Sequence, residues 1–166
     1  MIPDLLTCDN LVNQTLAMLT ETLVLTNPQQ CHHVVLTGGN VGMSITRELS
    51  QVAESVPERV WADTHFWWGD ERFVASDHPD RNDRDIKSAL ADYFIESNVH
   101  RVTPSDQIAD AQGSADRYMH ELLNFGENGS PPQFCFVILG VGPDGHIASL
   151  FPGRPELNSH AIALPV

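Results

Sequence analysis

Apolar residues recur every three or four positions in the N-terminal part of the chain, which is the spacing of an amphipathic helix. The pattern holds over residues 5–25 and predicts a helix that packs its apolar stripe on the rest of the protein. Asp9 or Asn10 is placed to cap the start of this helix, and Asn27-Pro28 ends it. The leucines of the stripe are Leu11, Leu16, Leu19 and Leu23.

Short continuous apolar runs predict buried strands, and helical patterns separate them. The predicted strands lie at residues 32–37, 60–68, 99–103 and 134–139. The predicted helices between them lie at residues 43–52, 84–94 and 108–124. Asn82 or Asp83 is placed to cap the second of these helices. Strands that alternate with helices predict a parallel α/β sandwich, and the length predicts one domain over residues 1–166.

The net charge of the chain disfavours some kinds of binding partner. The formal net charge is −13, from 9 basic and 22 acidic side chains, which argues against nucleic acid as a partner. An anionic ligand then has to be captured locally, by arginines, backbone N–H groups or helix N-termini. No apolar run approaches the roughly 20 residues that span a bilayer, so we predict no membrane association.

The cysteines indicate a reducing compartment. Cys8, Cys31 and Cys135 are far apart and odd in number, which gives neither a disulfide framework nor a C-x-x-C metal pair. The first ten residues lack the basic segment that begins a signal peptide. We therefore expect a cytoplasmic protein without a metal site.

The most informative stretch is residues 134–153, FCFVILGVGPDGHIASLFPG. An apolar strand opens it, a glycine loop follows, and residues 147–151 predict a helical turn. Asp144 and His146 thus lie at a strand end, where open α/β sheets bind ligands. A helix start disfavours imidazolium, so His146 is expected to stay neutral and to act as a general base. Asp144 could orient the imidazole or the attacking water.

The same stretch contains G-x-G-x-x-G at Gly140, Gly142 and Gly145. A dinucleotide site also needs a following helix, a second strand and an acid roughly 20 residues on. Pro152-Gly153 ends any helix early, so we predict a crowded turn at these glycines and no dinucleotide cofactor.

Two other strand ends carry groups suited to an anion. Residues 37–42 (TGGNVG) could cradle a phosphate with backbone N–H groups, or form a plain strand-to-helix turn. At the next strand end, Asp70 and Glu71 could hold Arg72 in place for a phosphate, or all three could lie in a solvated loop. Arg81 and Arg84, in the polar loop that follows, are either second anion ligands or solvated side chains.

Three separated segments together resemble 6-phosphogluconolactonase. They are residues 36–40 (LTGGN), 68–74 (WGDERFV) and 139–153 (LGVGPDGHIASLFPG). The resemblance covers essentially the whole chain, and it implies a Rossmann-like three-layer α/β/α sandwich with a mainly parallel sheet. It also implies hydrolysis of 6-phospho-D-glucono-1,5-lactone to 6-phospho-D-gluconate in the oxidative pentose phosphate pathway, without a cofactor.

The resemblance assigns roles residue by residue. His146 would be the base that activates water, Asp144 its partner, and Arg72 a ligand of the substrate phosphate. The other substrate-binding candidates are Gly38, Gly39, Asn40, Asp70, Gly142 and Gly145. The partner implied is a small sugar-phosphate lactone, bound by a monomer or a weak homo-oligomer.

The chain departs from the family pattern in two places. Asn40-Val41 stand where many relatives carry Ser-Thr-Pro. Relatives also usually continue for tens of residues past the position of Val166, so the resemblance implies that the chain lacks its C-terminal part.

Two alternatives share the fold. A sugar-phosphate isomerase or deaminase usually has an acidic residue soon after the histidine, whereas residues 149–153 contain none. A non-catalytic sugar-phosphate-binding domain would bind the ligand without turnover.

Overall fold

The computed structural model describes residues 6–26 and 31–166. In this part of the chain, six α-helices and three β-strands follow in the order α1, β1, α2, α3, α4, β2, α5, α6, β3. Their bounds are α1 Leu11–Leu25, β1 His32–Leu36, α2 Gly39–Arg47, α3 Ser50–Ala53, α4 Glu58–Ala62, β2 Thr64–Trp68, α5 Ile86–Leu90, α6 Ala111–Phe125 and β3 Phe136–Val137. Short 3₁₀ helices lie at Ala91–Tyr93, Glu96–Asn98 and Pro155–Asn158. None of the helices described here is both long and apolar enough to cross a membrane.

The strands form one parallel sheet in the order β2-β1-β3, so β1 is central. All five residues of β1 pair with β2, from His32 opposite Thr64 to Leu36 opposite Trp68. Only Val34 and Val35 pair with β3. The parallel sheet predicted from the sequence is confirmed, and its carboxyl edge carries the loops that follow the three strands.

Successive side chains of the sheet enter two separate cores, because strand side chains alternate between faces. On one face, Val34 and Phe66 belong to the core that includes the α1 stripe. On the other face, Val35 and Trp67 pack with α6. The α1 and α6 residues that are buried there are Leu16, Leu19 and Leu23, and Tyr118 and Leu122. Each fully buried leucine contributes about 1.5–3 kcal/mol. Helices on both faces of the sheet make the predicted three-layer α/β/α sandwich.

Asn10 caps α1, as one of the two predictions had it. Its side-chain oxygen accepts a hydrogen bond from the N–H of Asn13 at 3.1 Å. The helix begins at Leu11 instead of residue 5, and the predicted stop at Asn27-Pro28 lies outside the described residues.

The prediction of a strand over residues 60–68 was wrong in its first part. Val60 and Trp61 belong to α4, and β2 begins only at Thr64. Both residues are buried. The buried face of α4 and the buried strand β2 therefore follow one another within a single apolar stretch of the sequence. Short apolar runs do not separate the two kinds of element.

Two predicted helices have different bounds in the structure. Helix α2 begins at Gly39, four residues before the predicted start, and a separate short helix, α3, follows it. The helix predicted over residues 84–94 is the shorter α5 followed by a 3₁₀ helix. Its cap position is Asp85, so the prediction of a cap at Asn82 or Asp83 was wrong.

The strand predicted at residues 99–103 is reduced to one bridge. Val99 forms a single parallel bridge with Phe66, and the N–H of His100 donates to the Phe66 carbonyl at 2.9 Å. The segment therefore runs beside β2 without extending the sheet as a further strand.

The strand predicted over residues 134–139 lies at the edge of the sheet and is not buried. Only Phe136–Val137 is strand, and the Val137 and Leu139 side chains are 47% and 51% exposed. Strand β3 pairs with β1 alone, so its other edge has no neighbour among the described residues. The prediction of a buried strand over residues 134–139 was therefore wrong.

Candidate active site

Asp144 and His146 contact one another in the loop that follows β3. The Oδ1 atom of Asp144 lies 2.5 Å from Nδ1 of His146 and also accepts the His146 backbone N–H at 3.4 Å. The hydrogen bond from the ring lowers the pKa of the Asp144 carboxyl, because it stabilises the carboxylate. With Nδ1–H donated to Asp144, Nε2 is the nitrogen of a neutral ring that can accept a proton.

The imidazole of His146 packs against Phe151 and Gly142 and stays partly exposed. Its centroid lies 4.6 Å from that of the Phe151 ring. A Cβ added to Gly142 would lie 2.1 Å from Cε1 of His146, so only glycine leaves room for the ring. The side chain remains 33% exposed. The ring is therefore held in place and still accessible to water.

The helical turn predicted after His146 is absent from this part of the structure. Ile147 instead forms antiparallel bridges with Val141 and with Leu150. Ala148 and Ser149 make the tight turn between these bridged residues, with φ values of 48° and 62°. Positive φ at both central positions is the geometry of a two-residue hairpin turn, which favours Asn and Gly.

This turn has two consequences for the site. Within the described residues, no helix begins directly after His146, so the prediction that a helix dipole acts on its imidazole was wrong. The two non-glycine residues at positive φ cost about 1–3 kcal/mol each, so the surrounding structure has to hold the turn.

Ser149 connects this turn to the end of β2. Its hydroxyl donates to Oδ2 of Asp70 at 2.5 Å, across a separation of 79 residues. The turn also lies close to Gly69, because a Cβ added there would be 3.8 Å from the Cβ of Ala148. Sequence reasoning did not identify Ser149, since nothing in local spacing marks a contact between such distant positions.

A cleft of about 350 Å³ opens beside the ends of β1 and β2. Gly39, Asn40 and Arg72 line it, together with residues of the segment 79–84. Gly38 occupies the N-cap of α2 without a side-chain hydrogen bond to the first turn. The start of α2 and the exposed Arg72 thus form a wall suited to an anion.

The structure brings some of the predicted site residues together and leaves others apart. Gly39, Asn40 and Arg72 share the cleft, and Arg84 joins them. Asp144 and His146 are not among the lining residues described for this cleft. The Ser149–Asp70 contact is the direct hydrogen bond between their loop and the segment that carries Arg72.

Gly142 and Gly145 are predicted to bind substrate, and in the structure both shape the loop that contains them. Gly142 makes room for the His146 ring, and its N–H donates to the His146 carbonyl at 2.8 Å. Gly145 has a φ of 86°, and its N–H donates to the Gly142 carbonyl at 2.9 Å.

Arg81 is buried, so of its two predicted roles that of a solvated side chain was wrong. Its Nε and Nη2 donate to the two carboxylate oxygens of Asp83 at 3.0 and 2.6 Å. Nη2 also donates to the Val102 carbonyl at 2.8 Å and lies 3.7 Å from Glu71 Oε2. The Arg81 side chain is only 1% exposed. Because its carboxylate partners are equally buried, this ion network fixes the segment around Asn82.

The prediction that Glu71 holds the guanidinium of Arg72 was wrong. Glu71 instead supports the backbone of this segment. Its carboxylate accepts backbone N–H groups from Arg72 at 2.7 Å, Asn82 at 2.9 Å and Asp83 at 3.1 Å. Burial raises the pKa of Glu71, and these hydrogen bonds and Arg81 oppose that shift. Among the described residues, no carboxylate forms a salt bridge with Arg72, so its charge is left for a ligand.

Asn82 joins the first two strand ends. Its Nδ2 donates to the Asp70 carbonyl at 2.9 Å, and its side chain lies against Gly38. The sequence suggested a helix cap for this residue, whereas the structure uses it to hold two loops of the site together.

Within residues 6–26 and 31–166, no group of three or more His, Cys, Asp or Glu side chains could hold a metal ion. In the stack of His33, His65 and His100, the ring nitrogens of His65 and His100 lie within hydrogen-bond distance of one another, and His33 and His100 pair with Trp67 and Glu121.

Comparisons with known proteins agree with this architecture. The profile of the family described as glucosamine-6-phosphate isomerases/6-phosphogluconolactonase matches residues 7–166. Curated 6-phosphogluconolactonases from Synechocystis sp. and Mycobacterium tuberculosis are 38% and 39% identical to this chain, each over 75% of it. The matches cover 50% and 51% of those proteins, so the chain spans about half the length of these curated relatives.

A solved structure extends the comparison to the fold. The 6-phosphogluconolactonase of Thermotoga maritima matches with a TM-score of 0.69 and 28% identity, over 86% of this chain and 61% of that one. The family profile covers nearly the whole chain, including the three segments, residues 36–40, 68–74 and 139–153, that carry the resemblance. The chain therefore belongs to the family of glucosamine-6-phosphate isomerases and 6-phosphogluconolactonases.

Proposed function

We propose that this chain hydrolyses 6-phospho-D-glucono-1,5-lactone to 6-phospho-D-gluconate, using water activated by His146. The curated relatives in Synechocystis sp. and Mycobacterium tuberculosis carry the name 6-phosphogluconolactonase, which favours this activity over isomerisation or deamination. The substrate class, the pathway and the residue roles belong to the same proposal.

The observation that carries the proposal is the contact between Asp144 and His146 at 2.5 Å. The carboxylate holds Nδ1–H, so Nε2 points its lone pair away from this bond and can accept a proton from water. The partly exposed ring leaves room for that water. A positioned base of this kind contributes typically 10²–10⁴-fold to a rate.

The reaction requires one bond to form and one to break. The water oxygen attacks the lactone carbonyl carbon while Nε2 of His146 takes a water proton. The tetrahedral intermediate then expels the ring oxygen, which receives the proton from the imidazolium. The carboxylic acid that forms loses its proton to solvent, so the products are a carboxylate, a hydroxyl and a released proton, and no oxidant, reductant or metal ion enters this balance.

The phosphate of the substrate would bind in the cleft beside the start of α2. Arg72 supplies a charge without a described carboxylate partner, and the backbone N–H groups at Gly39 and Asn40 supply further donors. In this proposal Gly38 shapes the loop, and Asp70 links it to the loop of His146.

We further propose that the chain is one domain that works in the cytoplasm as a monomer or weak homo-oligomer, without nucleic acid. Cys8 and Cys31 are exposed free thiols, which suits a reducing compartment. The formal net charge of −13 opposes binding to a polyanion.

The test is hydrolysis of the lactone by the 166-residue chain, with the substrate generated fresh because it also hydrolyses spontaneously. We expect 6-phosphogluconate to form faster than in the absence of protein. His146→Ala should abolish the excess rate, and His120→Ala, at an exposed position of α6, should retain it.

Two results would contradict the proposal. The first is a rate equal to the spontaneous rate at every protein concentration. The second is an active His146→Ala variant, which would assign the catalytic proton transfer to another group.

A further inference from the structure

We propose that Ser149 is a positioning residue for His146, which acts by donating its hydroxyl to the carboxylate of Asp70. The role rests on the proposed function, because His146 is the proposed base. The inference deepens that function by naming the contact that fixes the base relative to the anion-binding cleft.

The turn that contains Ser149 does not form easily by itself. Ala148 and Ser149 have φ values of 48° and 62°, in a backbone region that residues other than Gly and Asn rarely adopt. Such a conformation persists only where surrounding contacts determine it. A contact from outside the turn is therefore required.

Ser149 supplies that contact through a short hydrogen bond. Its Oγ lies 2.5 Å from Asp70 Oδ2, and an acceptor that carries a charge makes the bond stronger than a neutral one. The turn also lies near Gly69, the residue before Asp70. Both contacts fix the turn on the end of β2.

The position of the turn determines the position of His146. Ile147, next to His146, is bridged to Leu150 across the turn and to Val141 on the preceding segment. The His146 carbonyl accepts the N–H of Gly142 at 2.8 Å. A shift of the turn would therefore move the backbone of His146, and its imidazole with it.

Asp70 is itself fixed to the wall of the cleft. Its carbonyl accepts the side-chain N–H of Asn82 at 2.9 Å, and Asn82 lines the cleft together with Arg72. The two hydrogen bonds of Asp70 thus set the distance between the base and the proposed phosphate site. Loss of the Ser149 bond should misplace the base and leave the phosphate contacts unchanged.

The experiment compares Ser149→Ala with Ser149→Gly. Both variants remove the hydroxyl, but glycine also relieves the positive φ, so the pair separates the hydrogen bond from the backbone conformation. We expect kcat to fall by about 10- to 100-fold in both variants, with KM changed by less than about threefold. The matched control is Ser76→Ala, which removes a similar bond, from Ser76 Oγ to Asp106 Oδ2 at 2.7 Å.

A second measurement does not depend on activity. Imidazole NMR signals of His146 should shift in Ser149→Ala and Ser149→Gly, while those of His120 on α6 stay in place. Ser76→Ala should leave both sets unchanged. If the wild-type chain fails to hydrolyse the lactone, the proposed function is wrong, and the NMR comparison still decides whether Ser149 positions His146.

Three outcomes would overturn the inference. Full activity with unshifted His146 signals in both Ser149 variants would show that the hydrogen bond does not position the base. Full activity in Ser149→Gly alone would assign the effect to the backbone conformation of the turn. A rise in KM at constant kcat would place Ser149 in substrate binding.

Discussion

The side-chain oxygen of Asn82 lies 2.1 Å from the point at which a Cβ on Gly38 would stand. Asn82 is buried and cannot easily move, because its Nδ2 donates to the Asp70 carbonyl and its N–H to Glu71. We predict that Gly38→Ala forces the two loops apart. The free energy of unfolding, measured by urea denaturation, should fall by about 1–3 kcal/mol, and KM for the lactone should rise.

Gly140→Ala is the matched control for this change. No atom lies within 4 Å of a Cβ added at Gly140, and its φ is not positive. Its free energy of unfolding should stay within about 0.5 kcal/mol of the wild-type value. Equal losses in the two variants would mean that the contact with Asn82 is not the cause.

Asp144 should matter for proton transfer more than for substrate binding. Asp144→Asn keeps the size of the side chain but removes the negative charge that stabilises the imidazolium formed when His146 takes a proton. We predict that kcat falls by about 10- to 100-fold while KM changes little, as measured by steady-state hydrolysis of fresh lactone.

A second histidine–carboxylate pair provides the control. Glu121 Oε1 lies 2.6 Å from Nδ1 of His100, on the face of the sheet that α6 covers. Glu121→Gln should leave the hydrolysis rate unchanged, because this pair is not part of the proposed site. Comparable rate losses in Asp144→Asn and Glu121→Gln would indicate a general effect of carboxylate removal.

Local patterns in the sequence were enough to predict some elements and one contact of the site. The leucine spacing of α1 follows directly from helix geometry, and Leu16, Leu19 and Leu23 are buried as predicted. The Asp144–His146 contact spans only two residues of a loop, so the two side chains cannot be far apart. Strand β1 carries an apolar run that is buried on both faces.

Other features depend on contacts that local patterns do not contain. Ser149 meets Asp70, and Asn82 meets Glu71, only after the strands have aligned their ends. The hairpin turn at Ala148 and Ser149 has the composition of a short helix, and the contact at Asp70 favours the turn instead. The two contacts and the hairpin turn depend on the assembled sheet, so local sequence patterns could not predict them.

The buried ion network around Arg81 should be a major source of local stability. Arg81→Met would leave the buried carboxylate of Glu71 without its cation, and it would leave Asp83 with Arg101, whose Nε lies 3.6 Å from Oδ2. Breaking a buried pair in this way costs about 3–5 kcal/mol, so we predict a loss of this size in urea denaturation. Arg117→Met, at an exposed position of α6, should change stability by less than about 0.5 kcal/mol. Similar stabilities of the two variants would show that Arg81 is not required.

Three histidine rings stack on the face of the sheet that α6 covers. The ring centroids of His33 and His65 are 5.0 Å apart, and those of His65 and His100 are 5.1 Å apart. Nδ1 of His65 lies 2.8 Å from Nε2 of His100, and His33 accepts the Trp67 indole N–H at 3.1 Å. Glu121 faces His100, and His32 adjoins His33.

Acid should destabilise this cluster. Burial, together with the neighbouring rings of His65, His100 and His32, lowers the pKa of His33 to about 4. Burial also lowers the pKa of His65. A histidine of the unfolded chain binds its proton near pH 6.5. The contribution of neutral His33 to the free energy of unfolding is therefore fully present above that pH. It is lost as the pH falls toward about 4, and for His33 alone the loss reaches about 3 kcal/mol.

His33→Gln tests this source of acid sensitivity. Glutamine does not titrate, and its side-chain oxygen can still accept the Trp67 N–H. We predict that the free energy of unfolding falls less in this variant than in the wild type between about pH 7 and about pH 5. His120→Gln, on the exposed face of α6, should retain the wild-type dependence. If His33→Gln also retains it, other groups must bind the proton that destabilises the fold, since His33 would then bind its proton equally in the folded and the unfolded chain.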